Sequence, residues 1–102
     1  MGLYFITVEP DNVLVLSFGT PADNDKLVIE VTQIIDNLID EGLITGGELI
    51  KLNGPATLPI SFVLAHKLNH LYQAVAMYDP KLSKYVVSIT HGGKYNLGDL
   101  ID

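Results

Sequence analysis

Between Lys51 and Lys94 the chain carries all three of its histidines and five of its six lysines, against a single acid, Asp79. His66 and His70 are four residues apart, Asp79 follows nine residues later, and His91 closes the set. Two imidazoles, a carboxylate and a third imidazole are the usual parts of a metal site, and on a helix the i, i+4 spacing holds two rings close enough to share one ion. Cysteine is absent. Thiolate nucleophiles, disulfides and sulfur-ligated zinc are therefore excluded, leaving imidazole and carboxylate as the strong ligands. Asp79 also begins an Asp-Pro turn, so a plain turn role competes with a chemical one. An isolated HxxxH without a zincin glutamate can likewise be two surface histidines bonded to water or carbonyls.

The first fifty residues hold nine acids and one lysine, Lys26. Such asymmetry predicts that the second half meets an anionic ligand while the first half is scaffold. A net charge of −6 with no arginine argues against duplex DNA or a general RNA coat, whose affinity rests on many cationic phosphate contacts. A small anion in one local basic pocket remains compatible. No apolar run approaches a membrane span, and the start lacks a basic leader region, so a soluble cytoplasmic protein without membrane partners is expected. Residues 1–102 suffice for one domain. The 48% hydrophobic share is high for so short a chain and predicts that some apolar surface faces another subunit.

These groups need a framework. Tyr4 to Val8 and Val13 to Phe18 are β-branched and aromatic runs joined by Glu9-Pro10-Asp11-Asn12, which predicts a hairpin. Leu27, Val31, Ile34, Ile35 and Leu38 recur at helical spacing up to Gly42, and Glu30, Asp36, Asp40 and Glu41 read as that helix's solvated face. Glu48 to Leu52 is a short strand ending at Asn53-Gly54-Pro55, where glycine permits close backbone approach. A second helix is expected from near Ser61 to Tyr72, then strands Ala74 to Tyr78 and Tyr85 to Thr90. The order β-β-α-β-α-β-β predicts an α+β two-layer sandwich, one sheet covered on one face by two helices. On the second helix, Leu64, Ala65, Leu68, Leu71 and Tyr72 face the sheet, while His66, Asn69 and His70 lie opposite with Phe62 and Val63. That outer face fits a subunit interface or a ligand cleft.

The run Leu64-Ala65-His66-Lys67, His70, and Tyr78-Asp79-Pro80-Lys81-Leu82 resembles the small CRISPR-associated ring nucleases found beside type III systems. The similarity spans roughly Ile50 to Ile101 and includes Gly54-Pro55, His91 and Leu97-Gly98-Asp99. It implies a ferredoxin-like fold distantly related to CRISPR-associated Rossmann sensor domains. It further implies a homodimer that assembles into a tetramer and clasps cyclic tetra-adenylate between dimers, and a Mn²⁺-dependent phosphodiesterase that linearises this messenger. His70 and Asp79 match the family's catalytic pair, and Lys81 stands where relatives carry arginine, keeping charge but losing bidentate geometry. His66 meets the family's earlier histidine only through a one-residue gap. Lys51 lies near a family serine that approaches the ligand.

The expected metal ligands are thus His66, His70, Asp79 and His91. The expected substrate contacts are Lys51, Asn53, Gly54, Pro55, Lys67, Asn69 and Lys81, with lysines balancing phosphate and asparagines suited to adenine edges. Two alternatives remain open: a Mn²⁺-dependent 3′ RNA exonuclease that removes adenylates from linear ends, and a module that binds cyclic oligoadenylate without cleaving it.

Overall fold

Asp11 and Asn12 adopt left-handed backbone angles, φ 66° and 57°, which these two residue types tolerate better than most. They turn strand β1 (Tyr4–Glu9) back onto β2 (Val13–Phe18) as an antiparallel hairpin. The computed structural model describes residues 2–102. After the hairpin come α1 (Asn24–Asp40), β3 (Gly47–Asn53), α2 (Leu58–Asn69), β4 (Tyr72–Asp79), β5 (Lys84–Thr90) and β6 (Leu100–Ile101). All six strands join one sheet in sequential order. β2, β3 and β4 run parallel, and antiparallel pairs flank them on both sides.

Each parallel step needs a crossover, and the two helices supply it. Both pack on the same face. Leu27, Val31 and Ile35 of α1 and Ile60, Leu64 and Leu68 of α2 are buried against Leu14, Leu16, Ile50, Leu52 and Val75 from the sheet. The strands alternate, so Leu49, Ala74, Ala76 and Val87 form a second, smaller core on the opposite face, closed by Tyr95 and Ile101. The layering is the α+β sandwich expected, ferredoxin-like in having a sheet with both helices on one side.

Three features differ from the sequence reading. β6 is an additional strand, only two residues long, paired with β5. The second helix begins at Leu58 rather than Ser61 and ends at Asn69, so Tyr72 belongs to β4. Thr57 caps it by accepting from the Ile60 amide at 3.4 Å, and Pro59 fits the first turn, where a missing N–H costs no helical bond. The acids of α1 are not all a wet face. Glu30 Oε2 accepts the Leu3 and Tyr4 amides at 2.6 and 2.8 Å, pinning the start of β1, and Asp36 pairs with Lys67.

At the β3 exit the backbone comes so close to β2 that a Cβ on Gly54 would sit 2.1 Å from the Leu16 carbonyl oxygen, and its φ is +133°. Glycine alone meets both demands. Tyr4 fastens the same loop from the other side by donating its hydroxyl to the Pro55 carbonyl at 2.5 Å.

Candidate functional site

Because β3 and β4 are parallel, the residues that follow them emerge at one end of the sheet, and those that precede them sit at the other. The expected constellation divides along this axis. Asn53, Gly54 and Pro55 leave β3 beside Asp79 and Lys81, which leave β4. His66 and His70 lie at the C-terminal end of α2, just before β4 starts, and His91 follows the antiparallel β5, which returns to that end.

At the histidine end, the His66 and His70 rings meet at 5.0 Å between centroids and 87° between planes. Both side chains are exposed, and His70 is the residue that caps the helix. His91 shares an open cleft of about 350 Å³ with His70, Asn69, Gly47, Tyr72 and Gln73. The His91 backbone amide donates to the Gln73 carbonyl at 2.9 Å, and ring Nε2 lies 3.0 Å from the Asn69 carbonyl oxygen. A carbonyl only accepts, so Nε2 is the donor in this contact. Asn69 Oδ1 is buried with no partner among the described residues. An orphaned buried acceptor of this kind invites a donor that the isolated chain does not supply.

Asp79 is shared between a turn and free capacity. Its Oδ1 accepts the Lys81 amide at 2.8 Å and the Leu82 amide at 3.4 Å, the local bonding expected of an Asp-Pro turn. Oδ2 has no hydrogen-bond partner among the described residues. Lys81 is exposed beside it. On the open face of the sheet, the Lys51 ammonium stands 5.4 Å from the Tyr85 ring centre and donates to the Asp102 backbone oxygen at 3.2 Å. Lys84 pairs with the Asp102 carboxylate, and that hydrogen bond, followed by the Lys84 charge, holds the carboxyl below its ordinary range. Tyr78 meets Tyr85 edge to face at 5.2 Å.

Lys67 is placed differently from the other expected contacts. Its ammonium lies 2.8 Å from Asp36 and ties α2 to α1. Its charge is already answered within the chain.

Strand β4 has eight residues, so at about 3.3 Å per residue its ends are roughly 23 Å apart. His70 and Asp79 therefore do not meet within one chain. Among the described residues no three His, Asp or Glu side chains converge as a metal cage. The donor set of one copy is His66 and His70, with His91 across the cleft. That pair fits an ion of the Mn²⁺ class, which takes nitrogen and oxygen donors, as part of a coordination sphere completed by oxygen from outside the chain. Composition and spacing had no means of revealing Glu30 as a strand cap, the orphaned Asn69 oxygen, or the Lys51–Tyr85–Asp102 cluster, since each depends on tertiary contact.

Residues 33–102 match the model of a family described as CRISPR-associated protein (Cas_csx3). The chain belongs to this family. The matched span contains α2, β4, β5 and every expected site residue. A CRISPR-associated role follows for this Cas_csx3 chain. No curated protein and no solved structure matches it. None of its helices is long and apolar enough to cross a membrane, counting the described residues.

Proposed function

We propose that this Cas_csx3 protein is a ring nuclease that binds cyclic tetra-adenylate and opens it, ending the signal that messenger carries in type III CRISPR defence. The observation that carries the reading is the imidazole pair of His66 and His70, exposed in an otherwise acidic chain, on the segment that resembles the ring nucleases. Family membership supports the setting.

Opening the ring breaks one P–O bond. Water, or the neighbouring ribose 2′-OH, attacks phosphorus, and the departing oxygen takes a proton. Mn²⁺, when bound, would supply Lewis acidity to the phosphate. His66 and His70 would hold and orient it, or His70 would instead serve as the general acid and base that moves a proton at the reacting oxygen. His91 stands on the cleft wall. Asp79 keeps Oδ2 unbonded, and Lys81 balances phosphate charge as a point charge. Lys51, with Tyr85 beneath it, adds a second cationic contact, while Asn53 and Asn69 offer amide groups to adenine edges. Gly54 and Pro55 let the ligand approach the backbone closely.

Since the two ends of β4 are separated, a site that uses both His70 and Asp79 is assembled from facing copies. The expected dimer and tetramer provide them, and repetition multiplies a modest basic patch against a ligand with four phosphates. The same separation favours one runner-up, a module that binds the ring without cutting it, which needs no convergence.

Incubating the purified protein with cyclic tetra-adenylate, with and without Mn²⁺, and resolving products by chromatography tests the proposal. Linear tetra-adenylate or shorter adenylates formed only with metal are expected. An intact ring at high protein concentration rejects the nuclease; bound and intact, it establishes the binding module. Shortening of linear RNA 3′ ends with the ring untouched would establish the exonuclease.

A further inference from the structure

The chain has six lysines and twelve acids, yet two of the lysines converge on a single aspartate. Lys67 has Asp36, and Lys94 stands 3.9 Å from Glu48. Lys51 and Lys84 share Asp102: Lys84 holds its carboxylate, and Lys51 donates to its backbone oxygen at 3.2 Å. Among the described residues neither has another acidic partner. Two ammonium groups on one carboxylate leave a positive charge unanswered, in a chain whose net charge is −6.

The strands explain how the three residues meet. Lys51 lies two positions after Leu49 on β3, so it shares the open face of the sheet with the smaller core. There the Tyr85 ring, braced edge to face by Tyr78, attracts the Lys51 ammonium without cancelling its charge. Ile101 of β6 pairs with Tyr85, which sets Asp102 down beside Lys84. Lys84 in turn is the cross-strand partner of Asp79, with Lys81 in the turn between them. The lysine pair therefore adjoins the turn that carries Asp79 and Lys81.

We propose that Lys51 and Lys84 form a phosphate subsite which the chain's own Asp102 occupies until a ligand displaces it. Asp102 is held loosely enough for this. β6 has two residues, only Ile101 tucks into the smaller core, and the Asp102 side chain is 92% exposed. An ion pair so exposed is screened by water and contributes little. A phosphate group offers acceptor oxygens to both ammoniums at once, whereas Asp102 divides the task between a side-chain and a backbone oxygen. While it sits there, Asp102 lowers the apparent affinity for phosphate by the fraction of time the site is filled. The subsite takes its ligand class from the reading above and rests on that reading for nothing else.

Titration with inorganic pyrophosphate, without metal and at low ionic strength, tests the proposal through the backbone amide shifts of Lys51, Lys84 and Asp102. No turnover is read, so its failure is separate from that of the nuclease. Saturable shifts at these three residues are expected in the wild type. Asp102→Asn should lower Kd about two- to fivefold, the range over which a weak surface ion pair competes. Glu41→Gln removes the same charge at the C-terminal cap of α1 and should leave Kd unchanged. Lys84→Met should raise Kd at least about tenfold, as loss of a charge-assisted contact does, and should cancel the gain from Asp102→Asn in the double variant. Circular dichroism verifies that each variant is folded. A Kd that Asp102→Asn leaves unchanged, or that Glu41→Gln lowers equally, overturns the proposal, as does saturation centred on other residues.

Discussion

His66 and His70 meet edge to face at 5.0 Å on the last turn of α2, where their rings are free of the core and one turn of backbone fixes their spacing. If the pair shares an ion, as proposed, Mn²⁺ is expected to bind the protein in the absence of nucleotide. The loss of the free Mn²⁺ electron paramagnetic resonance signal on titration reads the affinity. His66→Ala and His70→Ala should each weaken it by at least about the 10–100-fold that follows loss of a supporting partner in a metal site. Equal affinity in both variants would remove the histidine pair from the metal site.

The length of β4 makes a second expectation. If His70 of one copy works with Asp79 of another, His70→Ala and Asp79→Ala should each be inactive alone and regain activity when mixed. Random assortment of the two chains leaves about one junction in four with both groups intact, so about a quarter of wild-type turnover is expected. Assays of mixed and unmixed variants against cyclic tetra-adenylate read this directly. No recovery after subunit exchange has been verified would place the two groups in separate steps.

How far this arrangement was legible depends on the kind of information each residue carries. The α1 core positions Leu27, Val31 and Ile35 repeat with helical period, and all are buried as expected. Asn53-Gly54-Pro55 announced a tight exit, and the 2.1 Å approach behind Gly54 bears this out. Leu100-Ile101 had no such mark, because two residues carry no period and β6 exists only through pairing with β5. Pro59 masked the first turn of α2, since proline breaks a helix interior but suits its start. Glu30 looked like any surface acid of a helix; only the position of β1 beside it makes it a cap. The His70–Asp79 spacing in sequence suggested proximity, yet the residues between them form an extended strand, which is the longest way to join two points.

Lys67 separates structural from ligand-binding lysines. Paired with Asp36 and partly exposed, it contributes no more than about 1 kcal/mol to stability. Lys67→Met should therefore lower the melting point slightly and change affinity for cyclic tetra-adenylate less than about twofold, whereas Lys81→Met, with no partner charge to release, should weaken it at least tenfold, roughly the effect of losing one charge-assisted phosphate contact. Calorimetric titration of both variants decides between the two lysines.

Gly54→Ala is expected to be the most damaging single-methyl change in the chain. The added Cβ meets the Leu16 carbonyl oxygen at 2.1 Å, a backbone atom that cannot swing aside, at a φ of +133°. Strain of the backbone and displacement of β2 together should cost at least about 2–3 kcal/mol. Urea unfolding measures it; a variant within 0.5 kcal/mol of wild type, roughly the scatter of neutral surface changes, would mean that the β3 exit relaxes freely.

Tyr4 links folding to alkaline pH. Burial pushes its phenol up to about 12 from an ordinary value near 10. The native state therefore keeps this proton in a range where the unfolded chain has already released it. The stability involved is complete below about pH 10 and is lost as pH rises toward about 12, because the unfolded state gains the free energy of ionising first. Chemical denaturation at stepped alkaline pH should show this decline. Tyr4→Phe removes the titrating group along with the hydroxyl's bond to the Pro55 carbonyl. The variant should begin about 0.5–1.5 kcal/mol less stable at neutral pH and then lose less between pH 10 and 12 than wild type does. Parallel curves for the two proteins would show that the decline belongs to other groups.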